Sequence, residues 1–144
     1  MESSTPNSMQ QNPSIDMNHL KMMESSGDPM SFNKHSKARG LYQITPIVLD
    51  EWNNFNKKAR YSREDLFNPD VNTKIADWYM HKRIPQMLTH FKKPLTVDNM
   101  LISYNAGINY VVDGSNLPDE TKEYLKRYHS RTGGGSNGID TTMS

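Results

Sequence analysis

Prolines set directly behind capping residues do most to restrict how this chain can fold. Thr45-Pro46 and Asn68-Pro69 each pair a side chain able to accept a helix's first free N–H groups with a residue whose missing N–H costs nothing at the first helical position. Val48, Trp52 and Phe55 follow the first pair at helical spacing, and Val71, Ile75, Trp78 and Tyr79 follow the second. Pro85 must kink or end that second segment. Thr96 or Asp98 can cap a third, over Asn99 to Tyr104, which runs into the stop Asn105-Ala106-Gly107. Leu117-Pro118 opens a fourth, acidic in its first turn (Asp119, Glu120) and basic in its last (Lys126, Arg127), as the helix dipole favours. No run alternates with the period of two that a strand needs. The expected fold class is mostly α, a single domain with little or no sheet.

At 144 residues the chain can bury one core. A mean hydropathy of -0.84 is polar for a compact protein, and the deficit sits at the ends. Residues 1–13, rich in Ser, Asn, Gln and Pro, are expected to be a flexible arm, and residues 130–144 a Gly/Ser-rich flexible tail, leaving 14–129 as the folded domain. With 17 basic and 16 acidic residues there is no global field to draw in nucleic acid or an anionic membrane. The basic stretch Lys57 to Arg63 is expected to be a solvated helix end and loop. Having no cysteine, the chain offers no disulfide, thiolate zinc site or cysteine nucleophile. The five histidines show no ligand spacing, so neither a metal nor a cofactor is expected. No apolar run is long enough for a membrane span, and Met1 to Pro6 shows neither the basic nor the apolar region of a Sec signal.

Glu24 is the candidate catalytic group. It closes a short apolar-faced segment, Ile15 to Met23, with the stop signals Gly27 and Pro29 just beyond, so it is expected in a last helical turn. There the dipole disfavours a negative charge, and burial would add to that, so a carboxyl would keep its proton to higher pH. A proton held near neutrality is what a general acid needs. A lone Glu is ordinarily just a solvent-facing residue; three further patches, with the residues that follow Glu24, change that. These are Glu24-Ser25-Ser26 followed by Gly40-Leu41-Tyr42-Gln43-Ile44-Thr45-Pro46; Asn68 to Asn72 leading to Ile75 to Tyr79; Ser103-Tyr104-Asn105-Ala106-Gly107; and Glu120-Thr121-Lys122-Glu123-Tyr124.

In order and spacing these patches resemble the soluble lytic transglycosylase domain of the lysozyme-like superfamily, over roughly residues 15 to 128. The resemblance implies a lysozyme-like fold and cleavage of peptidoglycan glycan strands between N-acetylmuramic acid and N-acetylglucosamine. It implies a single acid, Glu24, that protonates the leaving oxygen and then acts as base on the muramic acid's own hydroxyl, closing a 1,6-anhydro ring. Supporting roles fall on Ser25 (or a plain C-cap hydroxyl), on Gln43 (an amide holding the sugar or tying a loop), and on Tyr104, whose hydroxyl the family aims at the carboxyl. Asn105 would serve both turn and cleft, and Tyr124 would line the cleft or simply pack. Tyr42 stands where the family usually has Met and is expected to alter the cleft floor. Gly27-Asp28 stands where an aromatic often follows, removing a wall and lowering the expected pKa shift of Glu24.

Two other functions remain open on the sequence. A goose-type hydrolase would need a second carboxylate, for which Asp28 and Asp50 are candidates. A catalytically silent wall-binding protein would keep the cleft alone. The expected setting is a bacteriophage virion component, acting in the host periplasm or cell wall as the genome enters, with virion or envelope-spanning machinery as partners.

Overall fold

The computed structural model describes residues 13–132. Its helices start where the capping residues place them. Asp16 caps α1 (Met17–Ser25) by accepting from the His19 N–H, and Ser26 ends it in the left-handed region, returning its N–H to the Met22 carbonyl. Thr45 caps α2 (Pro46–Phe55). After a 3-10 turn (Glu64–Phe67), Asn68 caps α3 (Pro69–Trp78) by accepting from the Asp70 and Val71 N–H groups. Thr96 caps α5 (Val97–Asn105), which leaves Asp98 free to meet the His129 ring at 2.5 Å. A short α6 (Asn109–Asp113) stops at left-handed Gly114, and α7 (Asp119–Thr132) completes the order.

Pro85 neither ends the helix nor leaves it regular. A π turn, Tyr79–Arg83, joins α3 to α4 (Ile84–His90), with the Ile84 N–H reaching back to the Tyr79 carbonyl. The wider turn takes up the proline, whose ring in a regular helix would strike the carbonyl four residues back. At the other end, α7 runs three residues beyond the expected boundary at 129, so residues 130–132 are helix rather than tail. The rest of the expected tail, and residues 1–12 of the expected arm, lie outside the described residues.

Among the described residues the only β structure is a pair of isolated antiparallel bridges, Phe32 with Arg39 and Arg39 with Ile44. The fold is mostly α with almost no sheet, as expected. Leu20, Ile44, Ile75, Met80, Ile84, Leu88, Met100 and Leu101 form the centre of the core. Trp52, Ile75 and Tyr79 point inward as their spacing requires, but Phe55 is 56% exposed. Trp52 and Trp78 meet edge to face at 5.3 Å beneath α2, and Phe55 lies outside them with the Arg83 guanidinium 4.6 Å over its ring. Among the described residues no helix is long and apolar enough to cross a membrane.

Two anchorages place the future site. The start of α1 is tied down by its own backbone: the Ile15 N–H donates to His81 Nε2 and the Asp16 N–H to the Tyr128 hydroxyl, both at 2.9 Å. With Nε2 turned to the Ile15 N–H, the other ring nitrogen of His81, Nδ1, meets Asp77 Oδ1 at 2.9 Å. The second anchorage is the 39–44 turn, which packs on α3. Gly40 has φ +82°, and a Cβ there would lie 2.3 Å from both Asn72 Nδ2 and the Leu66 carbonyl. Gly40→Ala is therefore expected to cost roughly 2–4 kcal/mol, combining a left-handed backbone with overpacking. A denaturant midpoint within error of the wild type would contradict this packing.

Candidate active site

Glu24 ends up in the last turn of α1, as the stop signals require, and half-buried. Tyr124, on α7 alongside, donates its hydroxyl to Glu24 Oε2 at 2.7 Å. Burial pushes the Glu24 pKa up to about 7. The Tyr124 hydrogen bond and the Arg127 charge pull the other way, and the nearby Glu120 charge adds to the rise. The shift is large without an aromatic after Ser26, and Tyr124 of α7 lies against the carboxyl.

The carboxyl opens onto a cleft of about 410 Å³ whose walls include Asn33, His35, Ser36, Gln43, Tyr104 and Asn105. A second cavity of about 320 Å³ shares Glu24, Asn105 and Glu120 with it and continues over Tyr124 and Arg127. Glu24 thus sits where two hollows meet, which suits an extended ligand that crosses the carboxyl.

The expected supporting residues separate into several roles. Ser25 is the brace of the helix end: its hydroxyl donates to the Lys21 carbonyl at 3.2 Å and accepts the Gly27 N–H at 3.1 Å. Gln43 ties the turn together. Its amide donates to the Gly40 and Ser31 carbonyls at 3.1 and 3.3 Å, and its side chain still lines the cleft. Asn105 lines the two hollows, and its Oδ1 accepts the Thr121 hydroxyl at 2.8 Å, tying the end of α5 to α7. Tyr104 lines the cleft, but its hydroxyl donates to the Tyr42 carbonyl at 2.7 Å rather than to the carboxyl. The tyrosine on the carboxyl is Tyr124, because α7 packs against α1 and turns residue 124 toward residue 24. Tyr42 does not form a cleft floor: it is 3% exposed, with its side chain in the hydrophobic core. Its backbone is what reaches the site, through that carbonyl.

Glu120 is a wall residue of both hollows that the sequence left unassigned. The spacing could have revealed it, since residues 120 and 124 share a helix face and Tyr124 was already placed in the cleft. Asn33, His35 and Ser36 gave no such signal. They lie in a loop shaped by the Asn33 Oδ1, which accepts the N–H groups of His35 and Ser36, and only the folded loop brings them to the cleft. Neither Asp28 nor Asp50 lines either hollow. Asp28 instead accepts the Met30 N–H within its own turn. Among the described residues no group of three or more His, Cys, Asp or Glu could hold a metal ion.

A family model described as the transglycosylase SLT domain matches residues 6–133. The chain belongs to that family. No curated protein and no solved structure matches it. Membership in the SLT domain family implies peptidoglycan as the material acted on.

The raised pKa has a consequence for stability. Between the ordinary carboxyl value of 4.5 and about 7, the native state keeps a proton that the unfolded chain has lost. Native stability therefore falls as pH rises through that window. Glu24→Gln removes the titration at nearly constant shape. It is expected to match the wild type near pH 4 and to exceed it at pH 8 by on the order of 2 kcal/mol in urea unfolding. An equal difference at both pH values would contradict the shift.

Proposed function

We propose that this SLT domain is a lytic transglycosylase. It cleaves the β-1,4 bond between N-acetylmuramic acid and N-acetylglucosamine and leaves a 1,6-anhydro-muramic acid end. The observation that carries the reading is the Glu24 carboxyl, holding its proton to about 7 at the junction of two hollows. Such a group can give and take a proton at the same pH. As acid it protonates the leaving oxygen while the bond from that oxygen to the muramic C1 breaks. As base it then takes the proton of the muramic C6 hydroxyl as that oxygen bonds to C1, which returns Glu24 to its starting state without water.

Tyr124 occupies Oε2, which leaves Oε1 as the oxygen that carries the proton and faces the ligand. Tyr104, whose hydroxyl burial holds well above its ordinary pKa, stays a neutral wall of the cleft. The neutral amides of Gln43 and Asn105 suit an uncharged, hydroxyl-rich and acetamido-bearing glycan.

Glu120 favours a second reading. It is a carboxylate on the same cleft, and it could activate a water as a hydrolase requires. The products decide between the two. Mass spectrometry of peptidoglycan digested by the wild type is expected to show 1,6-anhydro ends, absent with Glu24→Gln. Reducing ends would establish a hydrolase, with Glu120→Gln then testing the base, and no products at all would leave a wall-binding role. The rate is expected to fall as pH rises through about 7, as Glu24 loses its proton. Tyr124→Phe removes a hydrogen bond that lowers the Glu24 pKa, so this alkaline limb is expected to move to higher pH. A limb that stays in place would mean another group sets it.

As setting we propose a bacteriophage virion or an envelope-spanning machine, since local opening of the wall is what such an assembly needs from this activity. Recovery of the protein in purified particles supports that setting, and its recovery in culture supernatant alone removes it.

A further inference from the structure

We propose that Asn72, buried behind the cleft on α3, is a positioning residue for substrate binding, acting through Gln43. The inference rests on reading the cleft as the glycan site. Asn72 is 0% exposed, and its amide is fully engaged. Its Oδ1 accepts the Tyr42 N–H at 2.8 Å, and its Nδ2 donates to the Arg39 and Leu66 carbonyls at 2.8 and 2.9 Å. One side chain therefore grips both ends of the tight turn that leads into Gln43, and ties that turn to the 3-10 segment behind it.

The grip matters because of what the turn must hold. Gln43 has φ +53°, in the left-handed region, which costs a residue with a Cβ about 1–2 kcal/mol. The turn keeps that conformation because its neighbours over-determine it. The Arg39–Ile44 bridge closes it from outside, the Asn72 amide holds it from inside, and Gly40 lets the backbone approach the amide where no Cβ could fit. The Gln43 side chain then donates back to the Gly40 carbonyl and faces the cleft. The same turn presents the Tyr42 carbonyl that receives the Tyr104 hydroxyl. The Gln43 wall of the cleft is thus referenced to one buried amide.

Without Asn72, residues 39 and 42 lose their common anchor, and Gln43 is free to relax into ordinary backbone space. Its amide would then leave the wall while Glu24, held by α1 and α7, keeps its place. The loss should fall on substrate binding more than on the chemical step. A buried amide with no such role would give a different pattern, a loss of stability alone.

The test is steady-state kinetics of the full chain on soluble peptidoglycan strands, well below the melting temperature. It compares Asn72→Ala, Gln43→Ala, the double variant, and Leu88→Ala as a core destabilisation. Asn72→Ala is expected to raise KM about tenfold with kcat much less changed. Gln43→Ala is expected to raise KM as well, and the double variant to raise it no further than Gln43→Ala does. Leu88→Ala is expected to lower Tm and leave KM unchanged. Additive effects in the double variant, or an Asn72→Ala that lowers Tm with KM unchanged, would overturn the proposal while the activity stands. Should Asn72→Ala fail to fold, the same cycle is run with the milder Asn72→Ser, read by the same criteria. A wild type without activity would overturn both the functional reading and this inference.

Discussion

The hydroxyl of Tyr124 and the carboxyl of Glu24 meet at 2.7 Å although a hundred residues separate them in the chain, and most of the site follows from that meeting. It requires α1 and α7 to lie side by side, and both ends of α1 are secured for it. His81 and Tyr128 hold the helix start through backbone N–H groups, and Tyr124 holds the end through the carboxyl itself. The covering that α7 provides removes the carboxyl from water, which raises its pKa. The hydroxyl and Arg127 that α7 also brings temper the rise. The balance near neutrality comes from these opposed effects: burial alone would drive the value higher, and a salt-bridged exposed Glu would fall below it.

The local rules of helix initiation were legible because they act over three or four residues. Thr45-Pro46 and Asn68-Pro69 cap α2 and α3 as their composition requires. The position of Glu24 in a last turn was legible for the same reason. What the local pattern missed depended on tertiary neighbours. Pro85 was absorbed by a π turn because α3 and α4 both bury residues in the core (Ile75 and Leu88 among them), so keeping the chain helical keeps both faces packed. Phe55 lost its inward place to the Trp52–Trp78 pair. Tyr42, expected in the cleft, is a core residue whose carbonyl does the work, a distinction that side-chain motifs cannot express.

The cleft was legible in the position of its buried carboxyl and partly in the residues around it. Motif matching brought Gln43, Tyr104, Asn105 and Tyr124 to one place, and the structure does assemble them around Glu24. The motifs pointed to Tyr104 as the tyrosine on the carboxyl where the structure places Tyr124, since that choice depends on the relative rotation of α5 and α7. The loop residues Asn33, His35 and Ser36 were invisible because an Asx-type turn, not periodicity, delivers them. Glu120 was within reach of a helical-face argument. Its presence on the wall makes the choice between sugar hydroxyl and water a question of geometry rather than of missing chemistry.

Everything proposed for the cleft turns on Glu24 as its proton-holding carboxyl. The most direct measurement is a carbon-13 NMR titration of the Glu24 side-chain carboxyl in the folded protein, assigned by its loss in Glu24→Gln. The expected midpoint is about 7, far from the ordinary value of 4.5. A midpoint at the ordinary value would mean that burial by α7 does not control the group, and would contradict Glu24 as the acid.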